Sequence, residues 1–257
     1  TYVETLRAHV SAARVVAIQY TPAAILFSLG WTEASATIAG AAAMLAVGAV
    51  AIFGLAKTRE RTRRFAIVCS ALPLLSGFAH EHNFTLLFIP ALWAMRTLTL
   101  RAQAIVVFAF GMVAVNWMDF AQQPGAAGQD VVLGVGALMA ILAWAPARSP
   151  HGYVGAAAAA VVLVSGAWIG MHHPAPIWPN DMRPFHIPFG ASSAYIWHVE
   201  QIRSGLERVE PAWGLLRSFS LAGSFLMLAA ASFAGKALDV DVHEIVERRD
   251  RIGVEVL

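Results

Sequence analysis

Charge is scarce in this sequence. Only 13% of its 257 residues are Asp, Glu, Lys or Arg, while 58% are hydrophobic; soluble domains carry about 25% charged and 45–50% apolar residues. So little charge cannot cover a globule of this size with water-compatible surface, so lipid must solvate much of it. The mean hydropathy of +0.62 agrees. Cysteine is almost missing: Cys69 stands alone, which excludes an internal disulfide, and its apolar surroundings make it a small packed hydrophobe. Alternating strands are not seen, and the apolar runs are long and rich in Ala, Leu, Val and Gly, as in packed transmembrane helices. There is no basic arm with interleaved aromatics. A pI near 9.0 on a net charge of +2 therefore reflects membrane topology rather than a nucleic-acid surface. Internal repeats, coiled-coil heptads, HExxH and CxxCH are absent as well. So is an initial Met: the chain starts at Thr1, and residues 1–14, with Glu4, Arg7, His9 and Arg14, do not form a signal peptide. The expectation is a chain cut at its N-terminus, the C-terminal part of a longer protein.

What is present is a series of apolar segments at 15–30, 35–56, 65–79, 84–95, 102–118, 131–145, 153–171 and 213–234. A full span needs about 20 apolar residues, which 35–56, 153–171 and 213–234 meet or approach. Gln19 and Pro22 suggest that 15–30 is bent or re-entrant. Segments 65–79 and 84–95 are short, with His80-Glu81-His82-Asn83 between them, and read as a helical hairpin. The run from Lys57 to Arg64 is the strongest basic loop and should be cytoplasmic. Alternation from there places twelve basic residues inside, against three (Arg183, Arg203, Arg208) in an outer loop at 172–212. The same alternation puts seven of nine histidines on the outer face. A loop this long between spans is functional or disordered. Its prolines set rigid extended geometry, of a kind that can lie over a cavity as a lid, and Ser192–Val209 has the spacing of an interfacial amphipathic helix.

Four outer-face groups could carry chemistry. Ionisable groups at a membrane boundary are costly unless paired or used. Glu81 could serve as a base, and His80 and His82 could bind phosphate oxygen or a metal; the plain alternative is a solvated turn. Arg183, flanked by aromatics near Asp181, His186 and His172-His173, suits a phosphate head group through bidentate guanidinium contacts, or simply pairs with Asp181 on a solvated loop. Gln19-Tyr20 could hydrogen-bond a sugar or form an interfacial anchor. His198 and Glu200 would share a face only in an extended segment, since on a helix they point about 200° apart.

Ser76-Gly77-Phe78-Ala79-His80-Glu81-His82-Asn83, followed by the apolar Phe84–Pro90, resembles in placement an outer-face motif of bacterial GT-C type glycosyltransferases. These enzymes take sugar from a polyprenyl-phosphate donor, as in the polyprenol-phosphate-mannose-dependent mannosyltransferase-like family. That motif runs Ser-Pro-x-Ser-Trp-x-His-His; here Gly77 stands in place of the proline and the histidines are spread by one. Gln19-Tyr20-Thr21 before Leu29-Gly30 is similar to an upstream Gln-Tyr-Ser element. The resemblance covers about residues 15–100. It implies sugar transfer from a lipid phosphate at the outer face, with His80, Glu81 and His82 in the donor or acceptor site. The family's own catalytic carboxylate lies in the first outer loop, after the first span, a region that a chain cut at its N-terminus would lack, so no catalytic base is carried over from the resemblance.

The expectation is thus an all-α, polytopic transmembrane bundle of about seven to eight membrane segments. Residues 1–234 form one membrane domain and 235–257 a cytoplasmic tail, in a bacterial inner membrane. Expected partners are the lipid bilayer, a polyprenyl-phosphate sugar donor and protein subunits, without nucleic acid. Glu81 and Asp181 are the candidate catalytic carboxylates. Gln19, Tyr20, His80, His82, Arg183 and His186 are the candidate substrate contacts. No metal ligand set is assigned and the cofactor is unknown. Two other readings stand beside transfer: a non-enzymatic subunit of a membrane complex or transporter, and a metal- or haem-binding oxidoreductase subunit.

Overall fold

The computed structural model describes residues 3, 4, 7, 15–16, 19–77, 79, 81–117, 150–173, 188–204 and 209–235. Among these residues the chain is all-helical, without a strand. The helices are α1 (Pro22–Ser28), α2 (Glu33–Lys57), α3 (Arg61–Leu75), a 3₁₀ helix (Glu81–Leu87), α4 (Phe88–Thr97), α5 (Leu100–Trp117), α6 (Pro150–His172), α7 (Ser193–Ser204) and α8 (Pro211–Phe233). Three of them, α2, α6 and α8, are long and apolar enough to cross a membrane. The expected segment at 131–145 lies outside the described residues.

Local sequence explains several boundaries. Thr21 caps α1, its hydroxyl accepting from Ala24 N at 3.2 Å, with Pro22 in the first position, where a missing N–H costs nothing. Gly30, at φ +95°, ends the helix: Gly30 N donates to Phe27 O (2.9 Å) and Trp31 N to Leu26 O (3.1 Å). That paired pattern with a left-handed glycine is a Schellman stop. Thr32 then caps α2 by accepting from Ser35 N. At seven residues, α1 is only about 10 Å long, so the 15–30 segment has no spanning helix among its described residues. The 3₁₀ run before α4 is longer than such helices usually are. It ends as the chain meets Pro90, which has no N–H to give the carbonyl of Leu86.

The central helix is α8, which packs against α1 to α6 and the 3₁₀ helix. It lies antiparallel to α5: Ser220 Oγ donates to Val113 O at 3.3 Å, and a Cβ on Gly223 would stand 2.4 Å from the Ala109 carbonyl. Such close approach through small residues is how helices pack where lipid removes the hydrophobic drive between them. Outward surfaces are apolar. On α2, Ile38, Leu45 and Ile52, spaced by seven, are 71%, 77% and 69% exposed. In water each would forfeit about 1.5–3 kcal/mol of burial; against lipid chains none does.

The contacts define two ends. Arg63 of α3 donates through Nε to Ala231 O (2.8 Å) and through Nη2 to Ala234 O (3.0 Å), and Thr99 N donates to Gly235 O. The start of α3, the start of α5 and the finish of α8 therefore meet, and Lys57 sits over the Phe53 ring beside Phe233. At the other end, Gly214 of α8 lies against Ser28 and Ile25, while Trp213 Nε1 donates to His173 O at 3.1 Å. The basic run 57–64 and Arg101 share the first end; Glu33, His173 and Glu210 share the second.

Candidate functional site

The second end holds the hairpin foreseen between 65 and 95. With 15 residues, α3 reaches about 22 Å, against about 37 Å for the 25 residues of α2. The hairpin therefore turns back inside the bundle. Pro73 marks its approach, since it cannot donate to the Cys69 carbonyl, and α3 stops two residues later.

The Gln19-Tyr20 strand of chain is bound to this turn. Gln19 Oε1 accepts from Ala79 N at 3.0 Å, and Tyr20 N donates to Ala79 O at 2.8 Å. Gln19 and Tyr20 are each 1% exposed. The Tyr20 ring meets Phe84 edge-on with centroids 5.2 Å apart, a favoured aromatic geometry. On its other side Arg217 of α8, 2% exposed, places its guanidinium carbon 5.6 Å from the Tyr20 centroid, within cation–π range. Arg217 is six residues into α8, so the turn lies roughly 9 Å inside the end of that helix.

Beside the recessed turn is a crevice of about 300 Å³. It is lined by Thr21 and Pro22 at the start of α1, by Thr37, Gly40 and Met44 of α2, and by Gly77 of the turn. Gly40 lets α1 approach: a Cβ there would lie 2.9 Å from Ala23. Around Gly77, by contrast, a Cβ would meet nothing within 4 Å. The buried Thr37 hydroxyl has no hydrogen-bond partner among the described residues. The crevice walls are thus mostly apolar, with Thr37 among them, its hydroxyl itself buried.

The structure brings two of the sequence candidates, Gln19 and Tyr20, to the hairpin turn. It uses the Gln19 amide oxygen to hold the turn in place. Glu81 and His82 open the 3₁₀ helix next to Ala79. His80, Asp181, Arg183 and His186 lie outside the described residues. His172 ends α6 and His173 follows it, with His172 Nδ1 2.7 Å from Trp168 O and His173 Nδ1 3.7 Å from Glu210 Oε1. His198 and Glu200 both belong to α7 and not to an extended segment. No three His, Cys, Asp or Glu residues gather as a metal-ligand group among the described residues. Arg217 is the residue that sequence reasoning passed over. Its signal was a lone cation inside an apolar run, which in a membrane segment marks function or pairing by default. The chain matches no family model, no curated protein and no solved structure.

Proposed function

We propose that this chain acts in a membrane glycosyltransferase of the GT-C type, moving a sugar from a polyprenyl-phosphate donor at the non-cytoplasmic face. One observation carries the reading. The two stretches that resemble that family, Gln19-Tyr20-Thr21 and Ser76–Asn83, are 60 residues apart in sequence, yet are hydrogen-bonded to each other beside a crevice.

In this reading the end bearing Lys57–Arg64 and Arg101 is cytoplasmic, by the positive-inside rule, and the crevice opens toward the opposite leaflet. The bundle has seven to eight membrane segments in a bacterial inner membrane, and the tail after residue 234 is cytoplasmic. Transfer needs a carboxylate to take the acceptor proton or steady developing positive charge, and cations to stabilise the departing phosphate. Glu81 and Asp181 are our candidates for the first task. Arg183, His80, His82 and His186 are our candidates for the second. Tyr20 and Thr37 line or support the place where the sugar would lie.

The test is turnover of a radiolabelled polyprenyl-phosphate hexose by the chain in nanodiscs supplied with a cell-envelope extract as the hydroxyl acceptor, read as label passing to the acceptor and release of free polyprenyl phosphate. Wild type should consume the donor or bind it saturably, and Glu81→Gln should abolish release while keeping binding. Absence of both turnover and saturable binding, in protein whose helicity is intact, sinks the reading.

A further inference from the structure

Helices α5 and α6 run parallel in unusually close contact. A Cβ on Gly155 would stand 2.5 Å from the Ala104 carbonyl oxygen, one on Gly111 2.5 Å from Ala159 Cβ, and one on Gly166 2.4 Å from Val115. Beside this seam, where Ala104 and Gly155 meet, runs a groove. Here the groove measures about 390 Å³. Ile105, Phe108, Val154 and Ala158 make it apolar along its length, and Arg101 and His151 close it at one end. Each is the second residue of its helix, so both line the groove near the basic end of the bundle. Both are exposed.

We infer that this groove holds an anionic phospholipid, with the phosphate against Arg101 and His151 and an acyl chain along Ile105, Phe108 and Val154. Charge and shape agree on this occupant. A free phosphate would satisfy the basic end and leave the apolar seam bare. A zwitterionic lipid would bring its own cation toward Arg101. An anionic lipid fills both parts, and guanidinium is the group best matched to phosphate. Basic pockets between membrane helices are where such head groups settle. The inference rests on the membrane part of the proposed function and is independent of sugar transfer.

The experiment uses the full chain in nanodiscs containing equal phosphatidylglycerol and phosphatidylcholine, released and weighed by native mass spectrometry. Wild type should retain phosphatidylglycerol over phosphatidylcholine by at least about fivefold, the contribution of one Arg near the surface. Arg101→Gln with His151→Gln should bring that ratio near unity, Arg101→Lys should keep most of it, and Ala158→Trp should block both lipids. A wild-type ratio near unity, an unchanged ratio in the double variant, or displacement of the lipid by soluble glycerol phosphate would each overturn the inference. Circular dichroism checks the variants; if the double variant does not fold, the wild-type ratio and its decline with salt decide. Co-flotation of the chain with vesicles tests the membrane reading separately.

Discussion

Gln19 Oε1 accepts the Ala79 amide hydrogen at 3.0 Å, so a side chain near the start of the sequence holds a turn 60 residues further on. Both partners are buried, Ala79 at 0% exposure. Gln19→Leu would strand the Ala79 N–H without water to replace its partner, a loss of about 1–3 kcal/mol. The expected result is a lower melting temperature in detergent and weaker donor binding. Gln19→Glu, which keeps an acceptor oxygen, should retain more of both; equal loss in the two variants would argue against this bond.

Arg217 bears on the same turn through Tyr20. Removing its charge in Arg217→Met forfeits about 0.5–2 kcal/mol of ring attraction and frees Tyr20 to shift. Donor turnover should fall at least tenfold while the helix content read by circular dichroism stays constant. Arg217→Lys should fall between wild type and Met. Full turnover in the Met variant would remove Arg217 from the site.

Thr37 offers the contrasting case of a hydroxyl with nothing to lose in the fold. Thr37→Val keeps the shape and deletes an oxygen that has no partner among the described residues. Thermal stability should hold or rise slightly. If a ligand hydroxyl bonds there, affinity should drop by about 0.5–1.5 kcal/mol, read as a several-fold higher Kd for the donor or acceptor. An unchanged Kd for both would exclude Thr37 from the contact.

Arg63 tests the opposite end. Its two bonds cap carbonyls at the close of α8 that have no partner within the helix, and its charge suits the negative end of the helix dipole. Arg63→Ala should destabilise the bundle by about 1–3 kcal/mol, seen in thermal unfolding or faster proteolysis after residue 233, without changing donor specificity. Arg63→Lys should recover only part, since one ammonium cannot reproduce the fork.

Much of this architecture is legible in the sequence because lipid imposes a simple rule: long apolar runs become long helices. The segments expected at 35–56, 153–171 and 213–234 are α2, α6 and α8, with ends moved by three residues at most. The hairpin was legible too, since short apolar stretches flanking polar residues cannot both span and must turn. Hidden from the sequence were the long-range bonds. Nothing in Gln19-Tyr20 names Ala79 as its partner, and periodicity says nothing about how deep a turn sits. The burial of Arg217 against Tyr20 escaped notice for the same reason, as it depends on which face α8 turns toward the turn. Gly40, Gly155 and Gly223 looked like ordinary small residues until their neighbours were known.

The central position of α8 has a consequence for biosynthesis. Residues 211–233 leave the ribosome after every other helix described here, yet they supply the surface on which α1 to α6 settle. During translation the earlier helices must therefore wait in the membrane with Arg63, Gly54 and the Val113 carbonyl still without their partners on α8. Final assembly is a late event, and a nascent chain stalled before α8 is a natural substrate for membrane quality-control proteases.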